Sequence, residues 1–114
     1  MIAEKADEAI DKAVAYELQN IVKKHGVLYA SEHEAYAVLL EEVQEACEAA
    51  RFMTARLESI WYAIRNNVLN KQSYHIEEVK KFAMQTAQEA VQCAAVCERF
   101  LETIKKEEEH EKLS

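Results

Sequence analysis

Four carboxylates fall within eight residues of this 114-residue chain: Glu41, Glu42, Glu45 and Glu48. A fifth, Glu89, is the only charged side chain between Phe82 and Cys97. Glutamates three residues apart on a helix are neighbours on one side of it. A lone carboxylate in an uncharged run is costly to bury without a partner. No lysine or arginine stands within two helical turns of Glu89 on its own segment. A cation held jointly with glutamates of the first cluster satisfies it. Carboxylate oxygens suit hard ions such as Mg²⁺ or Mn²⁺, and a carboxylate-only set argues against zinc.

The elements that must position these groups are helices. The chain has no proline and one glycine, Gly26. Multi-stranded sheets need both residues at their turns, and Gly-rich phosphate loops need several glycines, so β folds and such loops are excluded. Half the residues are apolar and 31% are charged, a globular composition. The reading is a single all-α domain over residues 1–114. Its first helix spans about residue 3 to Lys24 and ends at Lys23-Lys24-His25-Gly26, the order expected at a helix C-terminus. Ser31 with Glu34 forms a capping box that starts a second helix, whose pattern ends near Asn66-Asn67. Asn70-Lys71-Gln72-Ser73 supplies a polar turn, and a third helix carries Ile76, Val79, Ala83, Ala90, Ala94, Cys97, Leu101 and Ile104 on one face. The charge-dense tail, 105–114, is expected to fray.

The short turn makes helices two and three an antiparallel hairpin. A turn near residue 70 brings Glu89 within about one to two turns of the level of Glu45 and Glu48. On the second helix the main apolar stripe (Tyr36, Leu39, Val43, Cys47, Ala50) lies within about 40° of Val43, and the four glutamates lie roughly 100–180° away. That arrangement alone describes a solvated face opposite a core. Val38, Ala46, Ala49, Phe52 and Met53 share the glutamate side, so the helix reads as buried on two sides. So small a chain leaves apolar surface uncovered. Assembly into a homodimer or homotetramer, as a four-helix-type bundle of two hairpins, is expected.

The formal charge of −7 lacks the footprint of a nucleic-acid polymer or anionic-membrane binder. The opening residues show no secretory pattern, no apolar run is long enough to span a membrane, and Cys47, Cys93 and Cys97 read as reduced, mostly core thiols. A cytoplasmic protein is the expectation. Cys93 and Cys97, four residues apart, lack a matching pair for a metal site, and Glu107-x-x-His110 stands alone where a di-iron bundle needs two such motifs. His33 reads as surface, and of Trp61 and Tyr62 one is expected in a dimer core. Lys23, Lys24 and Arg51 are available to contact phosphate, though surface positions are the commoner role of such residues.

Leu39-Leu40-Glu41-Glu42-Val43-Gln44-Glu45 fits an EExxE pattern. Ser31-Glu32-His33-Glu34-Ala35-Tyr36-Ala37-Val38 precedes it, and Glu89-Ala90-Val91-Gln92-Cys93-Ala94-Ala95-Val96 follows on the third helix. Together they resemble the MazG-like, all-α nucleoside triphosphate pyrophosphohydrolases, over roughly residues 20–104. The resemblance implies hydrolysis of a nucleoside triphosphate to monophosphate and pyrophosphate with Mg²⁺, by a dimer or tetramer. It maps Glu42, Glu45 and Glu89 onto metal ligands and Glu41 onto a supporting glutamate. The last position of the second motif, Asp in the family, is Gln92 here, a neutral ligand that weakens the site. Glu48, one step further along, is placed to replace the missing charge. Glu41 or Glu48 is then the group to orient the attacking water. The alternative is a MazG-like bundle that has lost catalysis and serves as a binding or regulatory module.

Overall fold

The computed structural model describes residues 2–68 and 72–113, and the chain is helical as expected: α1 (Ile2–His25), α2 (Glu32–Arg65) and α3 (Gln72–Leu113). The described residues include no strand. No helix among them is long and apolar enough to cross a membrane. Asn70 and Lys71 of the expected turn lie outside the described residues, whereas Gln72 and Ser73 already belong to α3. α3 also continues through the charged tail to Leu113, where fraying was expected, with Lys106 paired to Glu102 at 4.0 Å and to Glu109 at 3.6 Å.

The chain forms two compact units, one of residues 1–42 and 91–114, the other of residues 43–90. In the first, α1 ends at Gly26, whose φ of 90° favours glycine and whose amide donates to the Val22 carbonyl at 2.8 Å. Ser31 caps α2, its Oγ accepting from the Glu34 amide at 3.1 Å. Between these caps, Tyr29 packs with Ala35 and Val96, surrounded by Ile21, Val38, Leu39 and Phe100. Arg99, buried to 6% exposure, closes the end of α1. Its Nη2 donates to the carbonyls of His25 (3.0 Å) and Leu28 (3.1 Å), and its Nε to that of Gly26 (3.1 Å). Its guanidinium lies 3.9 Å from the Tyr29 ring centroid. A cation here also answers the negative end of the helix dipole. Thr103 completes the arrangement, accepting from the Tyr29 amide at 3.0 Å and donating to the Arg99 carbonyl at 2.9 Å.

The second unit is a hairpin of α2 and α3. Phe52 lies against Phe82 (5.2 Å between centroids) and Arg56 against Glu78 (3.9 Å). Each pair sums to the same residue number, which fixes an antiparallel register. α2 ends in a Schellman motif: the Val68 amide reaches the Ala63 carbonyl (2.9 Å), the Asn67 amide reaches that of Ile64 (3.2 Å), and Asn67 takes a φ of 54°. Asparagine tolerates this left-handed conformation better than most residues.

Of the two sides of α2 expected to be buried, the glutamate side is the more enclosed within the chain. Ala35, Ala49 and Ala63 are buried and Val38, Glu42, Ala46 and Met53 half-buried, so the glutamate side of α2 turns inward. Tyr36, Val43 and Cys47 of the more apolar stripe are exposed. Cys47 is therefore not a core thiol, whereas Cys93 and Cys97 are half-buried.

Candidate functional site

The hairpin register carries Glu45 to Glu89. One carboxylate oxygen of Glu45 lies within 4.8 Å of one from Glu89 across the hairpin, and Glu42 precedes Glu45 by one turn on α2. Glu42 and Glu89 are half-buried and Glu45 is exposed. Oε2 of Glu89 is shielded from solvent and accepts no hydrogen bond. Neither Glu45 nor Glu89 has an ion-pair partner among the described residues.

This crowding has an electrostatic signature. The Glu45 carboxyl is pushed above its ordinary value of 4.5. Partial desolvation is the largest cause, although the residue is exposed overall, followed by the Glu89 charge, a hydrogen bond shared with Glu89, and the Glu48 charge. The acidic groups thus repel one another unless a proton or a cation sits among them.

The donor set fits a hard divalent ion. Two oxygens on one Mg²⁺ at about 2.1 Å are at most about 4.2 Å apart, and on a larger ion at about 2.4 Å at most about 4.8 Å. Oxygens as far as 4.8 Å apart reach that limit only on the larger ion and only as an opposed pair, so the carboxylates must draw together to hold either ion with a third ligand.

Glu41 and Glu48 are exposed on α2, two turns apart on one side. Gln92 is half-buried, and with Glu42, Glu17, His25, Tyr29 and Arg99 it lines a cavity of about 180 Å³ in the first unit. Lys23, Lys24 and Arg51 are exposed. Arg51 follows Glu45 by six residues, about 120° around the helix from it, and lines a surface groove with Val43 and Cys47. Two basic residues that the sequence reading passed over line the same groove as Glu89. Lys80 and Lys81 share a groove of about 700 Å³ with Met84, Gln88 and Glu89 along α3. Their spacing from Glu89 on one helix was the available signal. Arg99 was also passed over, although it shares a face with Val96 and Thr103.

No protein family, curated protein or solved structure matches this chain.

Proposed function

We propose that the chain is a divalent-metal-dependent nucleoside triphosphate pyrophosphohydrolase. The observation that carries this reading is the approach of Glu45 and Glu89 across the hairpin, with one Glu89 oxygen buried and unbonded and Glu42 one turn before Glu45 on α2. The resemblance of the EExxE segment and of the Glu89 segment to MazG-like enzymes supplies the reaction class. Glu42, Glu45 and Glu89 would hold Mg²⁺ or Mn²⁺. When bound, the ion offsets the charge of the triphosphate and polarises its oxygens.

The chain's own groups then have distinct tasks. Water attacks the α-phosphorus, the bond to the bridging oxygen breaks, and pyrophosphate leaves the nucleoside monophosphate. Glu48, whose charge already acts on Glu45, orients that water and accepts its proton, and Glu41 offers the same chemistry two turns earlier. Lys80 faces the groove that ends at Glu89 and supplies a positive charge for the outer phosphates. The reading includes assembly of two or more copies, in a cytoplasmic setting.

A panel of nucleoside triphosphates with Mg²⁺ or Mn²⁺, scored for pyrophosphate release, tests this. Turnover that disappears in Glu45→Gln supports it, and turnover unchanged by that substitution overturns the assignment. The second reading, a catalytically silent binding module, is favoured by one observation: Gln92, neutral where the family pattern has a carboxylate, stands with Glu42 in the small cavity. Absence of turnover with every substrate, together with no thermal shift from either ion, selects it.

A further inference from the structure

The exposed face of α2 has a period of its own. From Val43 to Ile64, steps of alternately four and three residues land only on apolar residues or threonine. This is the seven-residue repeat of a coiled-coil seam. It is not the face that packs on α3: Val43 (43%), Leu57 (58%), Trp61 (62%) and Ile64 (51%) are all substantially exposed. Tyr36 and Leu40 continue the same spacing toward the start of the helix.

We infer that this seam pairs with the same seam of a second copy, antiparallel about a two-fold axis, with Trp61 of each chain set over Ala50 of the other. Surface area argues that something covers it. The chain exposes 8838 Å², against about 6,400 Å² for a compact monomer of its mass. The excess is of the size that obligate homodimers bury, rather than that of a transient contact.

The seam's own residues argue for a second copy. In the proposed register Trp61 faces Ala50, Leu57 faces Thr54 and Ile64 faces Cys47, so the largest side chain meets the smallest. The flanking charges agree. Arg51 of one copy falls beside Glu58 of the other, twice by symmetry, and Arg65 beside Gln44. Arg51 and Glu58 are exposed and make no ion pair within the chain among the described residues. Sliding the pairing by one heptad brings in Leu40 opposite Ile64 but sets Arg51 against itself. A parallel pairing stacks Trp61 on Trp61, leaves a thin layer at Ala50, and places Arg51 and Glu58 beside apolar Ala46 and Met53. Charge and volume therefore select one arrangement.

This inference names the surface for the assembly proposed above and is independent of the chemistry of the carboxylates. Sedimentation equilibrium across a concentration series tests it. The wild type is expected to be dimeric or a multiple of a dimer. Arg51→Glu sets a new carboxylate beside the partner's Glu58 twice and should raise Kd about tenfold. Arg51→Glu with Glu58→Arg should restore it. In a background without native cysteines, mixed Thr54→Cys and Leu57→Cys proteins should form a disulfide with each other on oxidation. A chain that stays monomeric overturns both the surface and the assembly. An oligomer indifferent to the charge swap, or one in which Thr54→Cys links to itself or to Ala50→Cys, keeps the assembly and overturns this pairing.

Discussion

Replacing Arg99 should open the end of α1. The guanidinium makes three hydrogen bonds to the carbonyls of His25, Gly26 and Leu28 and lies on the Tyr29 ring. A hydrogen bond from a charged donor contributes about 1.5–3 kcal/mol. His25, Gly26 and Leu28 are exposed, so water can reach part of what is lost. Burying the guanidinium also has its own desolvation cost. About 1 kcal/mol for each bond is therefore the appropriate scale, and Arg99→Met, which keeps the packed stem, should lose about 3 kcal/mol. At about 2.1 cal/mol/K per residue of unfolding entropy, that is a fall of roughly 12 °C in Tm. Arg99→Lys keeps the charge but loses the fork and should fall about half as far. Thermal melts by far-UV circular dichroism, at one fixed protein concentration because self-association shifts Tm, read both. An Arg99→Met protein melting within about 3 °C of wild type would refute the argument that this residue closes the helix end.

Two other outcomes follow from the acidic cluster. Because the folded-state pKa of Glu45 is raised above 4.5, the folded protein carries this repulsion at pH values above that raised pKa, and sheds it as pH falls toward 4.5. In chelator, Glu45→Gln should thus melt higher than wild type at neutral pH, with the difference shrinking as pH falls and closing below 4.5; a variant that melts lower at neutral pH contradicts the crowding. Gln92→Asp adds a carboxylate to the cavity that holds Glu42 and should tighten Mn²⁺ binding while lowering the metal-free Tm, both readable by calorimetry. No change in affinity would place Gln92 outside the ligand set.

The helices and their ends were legible because local chemistry decides them. Ser31 can cap and Gly26 can turn whatever the rest of the chain does, and Asn66-Asn67 marked the end of α2 that the left-handed Asn67 completes. The pairing of Glu45 with Glu89 was also within reach, since a hairpin has one degree of freedom. The turn sits about three residues earlier than expected because α3 takes up Gln72 and Ser73, and that shift brings Glu89 level with Glu45. The orientation of α2 was not legible. Its outward stripe is more apolar than its inward one, where small alanines allow close approach to α3, and apolarity, which marked both sides for burial, could not rank the inward side first. Arg99 was hidden for a related reason: burial of a charged residue depends on carbonyls some seventy positions away in the chain.

The most direct measurement is a calorimetric titration of Mn²⁺ into the wild-type protein, Glu45→Gln and Glu89→Gln, repeated in buffers of different ionisation enthalpy. The account predicts saturable binding to the wild type, with a proton release that grows as pH falls from neutral toward the raised pKa of Glu45, because cation and proton compete for the same carboxylates. Binding should be abolished or greatly weakened in both variants. Equal binding by all three proteins, or none by the wild type, would contradict it.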